Sequence, residues 1–357
     1  MKAASYTSER RGDQTRLMVM DKRGVAFSTF AHLSGFLDPS DLLVVNESAV
    51  LPASLSGVLE RTGEELEIRL AAHEGEHFAD FSQWLAVSFG KGDWRSRTEE
   101  RGAPPALRAG DRLHFGDELS ATILSVDERS PRLLHLKFLG RRILEEIYRH
   151  GEVIQYAYHR DPLALWDAQT LIGGLPLSVE PPSSLFSLSA ERLLALKKTH
   201  RVVGLLHGAG LSSTGDISLD ALLPLPEPYF VPEATLQAVR ETKANGGRIV
   251  AFGTSVARAL ESALESGKGQ GITSLKLGPE RPAHGIDGLL TGFHEPGTSH
   301  FQLECGLVEE TKMHNAFEEA KAQGFIGHEY GDLILLWSNE KAPRAYAYAI
   351  AQNGNVS

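Results

Sequence analysis

Apolar and polar positions along this chain fall into distinct textures. Residues 41–55, DLLVVNESAVLPASL, contain the unalternating run LLVV, which predicts a strand buried on both faces and then a turn. From 56 to 149 the apolar stretches shorten and are divided by Gly, Asp and Pro. Glu65, Leu66, Glu67, Ile68, Arg69 and Leu70 alternate strictly, which predicts antiparallel β-structure with one wet face, closing into a small barrel. After residue 150, helical periods alternate with short strands. SAERLLALKKTHR (189–201) predicts a helix capped by Ser189, and VVGLLHGAG a strand entering a glycine-rich loop. EATLQAVRETKANGG (233–247) predicts an amphipathic helix ending at Gly246 and Gly247. This alternation predicts an α/β architecture with a parallel sheet. The simplest topology is one α/β domain built from residues 1–55 and 150–337, interrupted by a β insert at 56–149 and followed by a polar tail at 338–357.

Composition refines this picture only slightly. The 357 residues are 42% hydrophobic and 23% charged, an ordinary globular balance long enough for two domains or one domain with an insert. No apolar run reaches the roughly 20 residues of a membrane span. The start, MKAASYTSERRGDQ, has no apolar run of signal-peptide length, so a cytoplasmic protein without membrane contact is expected. Cys305 is the only cysteine, which excludes an internal disulfide framework and a cysteine-rich zinc site; a buried inert thiol is the expectation. The net charge of −10 argues against a broad basic face for nucleic acid. The basic clusters RRILEEIYRH (141–150) and KKTHR (197–201) read as a solvated helix face and a helix end favoured by the macrodipole.

Candidate chemistry gathers where strands end. In GRIVAFGTSVARALES (247–262) a strand stops at Phe252, Gly253 permits a sharp turn, and Thr254 or Ser255 caps the next helix, whose free N–H groups can receive an anion. Arg258 sits early in that helix, where the dipole disfavours a cation; it faces a carboxylate or phosphate, or it pairs with Glu261 or Glu265. His207 ends a strand just before Gly208, Ala209 and Gly210, placed either for a ligand or for a structural hydrogen bond. LLTGFHEPGTSHFQL (289–303) runs from a strand into Phe293, His294, Glu295 and His300. FIGHEYGDLILLW (325–337) has similar grammar, with His328, Glu329 and Asp332 before an apolar strand; Asp332 serves chemistry or merely caps a turn. Adjacent His and Glu residues in an extended segment point to opposite faces, and no HExxH spacing occurs, so no metal is expected.

Taken in order, these stretches resemble the S-adenosylmethionine:tRNA ribosyltransferase-isomerase family of queuosine biosynthesis. GRIVAFGTSVARALES is similar to that family's strand–GTT–helix segment, IDGLLTGFHEPGTS to its D-x-L-x-T-N-F-H-x-P-x-S-T, and YGDLILL to its S-Y-G-D-x-x-L-I. DLLVVNESAVLPASLSG resembles G-D-L-L-V-x-N-D-T-R-V-x-P-A-R-L-x-G, and AQTLIGGLPLSVEPPSS keeps the Gln-Thr and Ser-Val of another segment. The resemblance implies a barrel-like α/β catalytic domain with an inserted small antiparallel β-barrel. It implies S-adenosylmethionine as co-substrate, no metal, and transfer of its ribosyl unit to a 7-deazaguanine base of tRNA. The product is an epoxy-cyclopentanediol, and adenine and methionine leave. By position, the resemblance assigns His207, Glu227, His294 and Asp332 to catalysis and Asn46, Gln169, Gly253, Thr254, Ser255, Arg258 and Phe293 to the co-substrate, with Phe293 stacking on adenine.

The chain also departs from the pattern. Ala49 and Ser54 replace arginines, Leu185 a glycine, Ser187 and Leu225 histidines, and Gly292 an asparagine, while IQYAY (154–158) stands for P-L-P-P-Y. Glu295, His300, His328 and Glu329 are this chain's additions; Glu295 and His300 read a different acceptor or form a local ion pair. Two alternatives to the tRNA reading follow: an adenosylmethionine enzyme with a small-molecule acceptor, and a catalytically silent adenosylmethionine-binding protein.

Overall fold

The computed structural model of the chain describes residues 2–3, 12–159, 161–327 and 330–338. The expected tail beyond 338, together with His328 and Glu329, lies outside the described residues. Nine strands build the larger sheet. β1 (Arg16–Asp21) and β2 (Gly24–Thr29) form a hairpin, and β3 (Leu42–Asn46) is the LLVV run. Beyond residue 200 come β4 (Arg201–His207), β5 (Glu227–Phe230), β6 (Ile249–Phe252), β7 (Gln270–Thr273), β8 (Gly288–Gly292) and β9 (Leu333–Trp337). Their spatial order is β7-β5-β4-β3-β6-β8-β9-β1-β2.

The sheet is mixed, not parallel throughout. β4, β3, β6 and β8 run parallel at the centre, and β9 is parallel to β1. The pairs β7–β5, β5–β4, β8–β9 and β1–β2 are antiparallel. Parallel pairing needs a crossover of a dozen or more residues, and the tight turn between β1 and β2 leaves no room for one. Helices α1 (Ala190–Thr199), α2 (Glu233–Ala244), α3 (Thr254–Ser266), α4 (Ser299–Cys305) and α5 (Glu310–Ala322) accompany the sheet. As its sequence predicts, α1 is capped by Ser189, whose side chain accepts from the Arg192 amide at 3.1 Å.

The unalternating strands are buried on both faces. Leu42, Val44, Ile249, Ala251 and Leu289 pack with Leu236, Val256, Leu260 and Phe317 in one core. Their neighbours Leu43, Val45, Val250, Phe252 and Leu290 enter a second core with Phe30, Leu33 and Leu196. At the amino ends of β3 and β6, the buried Arg248 donates from Nε to Asp41 Oδ1 at 2.8 Å, and its guanidinium lies 3.8 Å over the Trp337 ring.

The insert is a closed antiparallel barrel. In spatial order its strands are Ser54–Leu59, Glu65–His73, Gln83–Gly90, Leu133–Leu139, Ser120–Val126 and Arg112–His114. The last closes on the first through Val58–His114 and Leu59–Leu113. The expected wet face on Glu65–His73 is absent, because Leu66 to His73 are all buried. Glu67 there accepts from Arg69 Nε at 2.6 Å and from Ser54 Oγ at 2.8 Å, and it pairs with Arg101. Opposite charges neutralise one another and let a polar face be covered. The barrel core also takes in Val179, Leu211, Leu219, Leu223 and Leu225 from the segment around β4 and β5. No helix among the described residues is long and apolar enough to cross a membrane.

Removing one partner of a buried ion pair strands the other. Asp41→Ala is therefore expected to cost about 3–5 kcal/mol, and Asp41→Leu combined with Arg248→Met less than that single change, as urea denaturation midpoints would show.

Candidate active site

The four central strands are parallel, so their carboxyl ends share one edge of the sheet, where ligands of open α/β sheets bind. At that edge lies a cavity of about 850 Å³, within the roughly 300–1,000 Å³ usual for ligand sites. β4 brings His207 to it, the turn after β6 brings Gly253, Thr254 and Ser255, and the segment after β8 brings Phe293 and His294. β5 runs opposite to β4, so its first residue, Glu227, arrives at the same edge. Arg258 reaches the wall from α3.

Glu227 is the electrostatic centre of this wall. Its Oε1 accepts from the Gly210 amide at 2.6 Å, its Oε2 pairs with Arg258 Nη1, and His207 Nε2 lies 3.2 Å away. Burial alone would raise the Glu227 carboxyl, but Arg258 and His207 outweigh it and hold it down at about 2. Burial pushes the His207 imidazole down and the Glu227 charge only partly offsets it, so His207 is neutral at pH 7. Arg258 thus pairs with neither Glu261 nor Glu265. Its Nε donates to the Leu275 carbonyl at 3.0 Å, which fixes the guanidinium plane.

Arg258 Nη2, Ser184 Oγ and both ring nitrogens of His207 are buried at the cavity without a hydrogen-bond partner among the described residues. The first two flank the start of α3. The residue before that helix is Gly253, at φ 106°, and neither Thr254 nor Ser255 caps it. Thr254 and Ser255 are its first two residues, which leaves their amides unused. A Cβ on Gly253 would stand 2.9 Å from Ser184 Oγ, so only glycine admits both the left-handed turn and the serine. Amides, hydroxyl and guanidinium together form an anion cradle.

In the loop after β8, His294 contacts a buried acid of α4. His294 Nδ1 is 2.6 Å from Oε1 of Glu304, a buried residue of α4. Burial drives the Glu304 carboxyl well above the usual range. The His300 ring stacks on His294 at 4.7 Å, and both His300 and Glu295 line the cavity. Phe293 presents its ring edge to Phe325 at 5.3 Å.

Three predicted site residues are not on the cavity wall. Asn46 lies below it and brackets the His207 backbone, donating from Nδ2 to its carbonyl at 3.0 Å and accepting from its amide at 3.1 Å. Gln169 makes the same two-way contact with Val50, at 2.9 and 2.7 Å. Asp332 accepts from the Arg16 and Ile326 amides at 3.1 and 2.9 Å, joining β1 to the segment before β9. Sequence reasoning missed Ser184 and Glu304. Ser184 sits in an unpatterned Pro-Ser run, and Glu304 looks like any acidic residue of a short helix. Among the described residues no group of three or more His, Cys, Asp or Glu is placed to hold a metal ion.

The family model described as "Queuosine biosynthesis protein" matches residues 2–336. The chain belongs to that queuosine biosynthesis family. Curated relatives named S-adenosylmethionine:tRNA ribosyltransferase-isomerase include one from Acaryochloris marina, 30% identical over 91% of this chain and 87% of its own length. The one from Thermus thermophilus is 31% identical over 91% and 93%. The one from Anaeromyxobacter dehalogenans is 32% identical over 91% and 92%. A crystal structure of S-adenosylmethionine tRNA ribosyltransferase from Thermotoga maritima aligns with a TM-score of 0.49 at 23% identity, over 94% of this chain and 96% of that one.

Three departures from the pattern of the queuosine biosynthesis family can be placed in the structure. Leu225 is packed into the barrel core, where an imidazole would be stranded. Ser187 Oγ donates to Thr15 Oγ1 at 2.7 Å. Ser54 has lost an arginine, but the residue directly across the ladder from it is Arg69.

Glu227→Gln tests the charge network. It would leave Arg258 buried without its counter-charge, an expected loss of about 3–5 kcal/mol at pH 7. The Glu227 carboxyl is lowered on folding from 4.5 to about 2, so its contribution is full above 4.5 and disappears as pH falls towards 2. Chemical denaturation at pH 7 and pH 3 should therefore show a smaller gap between wild type and variant at pH 3.

Proposed function

We propose that this chain transfers the ribosyl unit of S-adenosylmethionine to a 7-deazaguanine base of tRNA and rearranges it to an epoxy-cyclopentanediol, releasing adenine and methionine. The observation that carries this reading is the convergence of His207, Glu227, Gly253, Thr254, Ser255, Arg258, Phe293 and His294, from distant segments, on one cavity in a chain of the queuosine biosynthesis family. The relatives' name supplies the donor and the tRNA acceptor.

The site's chemistry suits that donor. Adenosylmethionine carries a sulfonium, an ammonium and a carboxylate, and is a net cation. Among ionisable wall residues, Glu180, Asp220, Glu227, Glu280, Glu295 and Glu310 outnumber Arg258, Lys276 and Arg281. The one anionic group of the donor matches the cradle at the start of α3, with Arg258 Nη2 and Ser184 Oγ as side-chain donors. Phe293 offers an apolar surface for adenine.

The reaction needs a base beside the ribose carbon that the sulfonium acidifies, and a site from which water is excluded. We assign the first role to His294, which lines the cavity, has a side chain 22% exposed and sets its Nδ1 2.6 Å from Glu304 Oε1. His207, neutral and sealed against Glu227, is suited to hydrogen bonding with the donor. Asn46 acts at one remove by holding the backbone of His207, whereas Gln169 holds Val50 and Asp332 joins Arg16 to Ile326, away from the wall.

Incubating the full chain with adenosylmethionine and tRNA bearing an aminomethyl-deazaguanine should release adenine and methionine only when the tRNA is present. Release without tRNA would transfer the reading to a small-molecule acceptor; donor binding without release would make the protein a sensor. Arg258→Lys keeps a cation beside Glu227 but removes the planar fork. By titration calorimetry it should weaken adenosylmethionine binding about 10- to 100-fold, the worth of one charge-assisted hydrogen bond. Unchanged affinity would remove Arg258 from the donor site.

A further inference from the structure

We propose that Lys276 takes a phosphate of the RNA strand that carries the target base, at the mouth of the cavity. This rests on the reading of tRNA as the acceptor.

The charges of the wall lead to it. Carboxylates outnumber cations there, so a nucleic-acid strand approaching the cavity needs a local positive contact. Of the Lys and Arg residues on the wall, Arg258 is buried against Glu227, and Arg281 Nη2 lies 2.6 Å from Glu265 Oε2. Lys276 is exposed and forms no ion pair among the described residues. Its ammonium donates to one neutral group, the Ala221 carbonyl, at 3.4 Å. Asp220, next to that contact in the chain, is already engaged: it accepts from the Thr214 amide at 2.6 Å, Thr214 Oγ1 at 2.7 Å and Ser213 Oγ at 3.3 Å. An ammonium carries three donors, so some remain for a guest.

The backbone that presents Lys276 is fixed. Leu275 and Leu277, on either side of it, are buried in the core, and the Leu275 carbonyl is the acceptor that orients Arg258. Alternation along this extended stretch turns the side chain of 276 away from the core. The contact with Ala221 reaches from this segment to the connection between β4 and β5, and both segments line the cavity. Lys276 therefore stands in solvent at the rim, whereas Arg258 is enclosed. A base that enters such a cavity is taken out of its stack, and its flanking phosphates stay at the entrance. An inner cation for the carboxylate of adenosylmethionine and an outer one for the strand match that arrangement.

Initial rates of adenine release at varied tRNA and salt concentrations test this. Lys276→Gln keeps most of the stem and removes the charge. It should raise KM for tRNA about two- to fivefold, the worth of an exposed ion pair. The change should fall on neither kcat at saturating tRNA nor KM for adenosylmethionine. The slope of log(kcat/KM) for tRNA against log salt should become shallower by about 0.7, the share of one phosphate contact with a single strand, and Lys276→Arg should restore it. A rise in KM that is equal at every salt concentration would show a structural role and overturn the proposal. So would a rise confined to KM for adenosylmethionine, which would put the lysine on the donor. Filter binding of the same tRNA to the full chain reads the contact without turnover. Wild type that binds with the steeper salt slope than Lys276→Gln, yet releases no adenine, would count against the proposed function and uphold the phosphate contact. Equal slopes, or no tRNA binding by the wild type, would overturn the contact itself.

Discussion

A single ionised carboxylate, Glu227, organises the cavity wall. It is fully enclosed, and a carboxylate in such a place is tolerable only because three donors converge on it from separate elements. Gly210 comes from the loop after β4, Arg258 from α3 and His207 from the end of β4. The direction of β5 makes this convergence available. Four parallel strands bring their ends to one edge, and the antiparallel neighbour delivers its beginning there. Reversing that one strand would put the carboxylate at the opposite edge and leave Arg258 facing an empty wall.

The same wall divides its labour by charge. In the network of Glu227, Arg258 and His207, Arg258 Nη2 and both ring nitrogens of His207 have no hydrogen-bond partner among the described residues. On another part of the cavity wall, His294 Nδ1 lies 2.6 Å from Glu304 Oε1. Both are embedded in an acid-rich rim that favours a cationic guest.

Much of the architecture was legible in the sequence, and what was not has identifiable causes. Unalternating apolar runs marked the doubly covered strands, and Ser189 marked its helix start, because these depend on neighbours within a few residues. Strand direction was not legible: β5 and β9 run antiparallel to the central strands beside them, and nothing local in EPYF or LILLW distinguishes the two senses. The alternation at 65–70 was read correctly as a strand, yet its polar face is buried, because Arg101 and Ser54 come from elsewhere in the barrel to neutralise Glu67. Arg258 was recognisable as misplaced at a helix start, whereas its partner 31 residues earlier was not. Glu304 left no sequence signal, since a carboxylate in a short helix reads as solvent-facing until the fold turns it inward.

The barrel's apolar interior does not end at the barrel. Leu211, Leu219, Leu223 and Leu225, which belong to the connection between β4 and β5, are part of it, and that connection also carries Gly210 and leads into Glu227. The insert therefore cannot be excised or exchanged as a module without stripping greasy surface from the very segment that forms the reaction chamber. The barrel and this part of the cavity wall are thus packed as one body of apolar side chains, and a change in barrel packing would be transmitted to the wall.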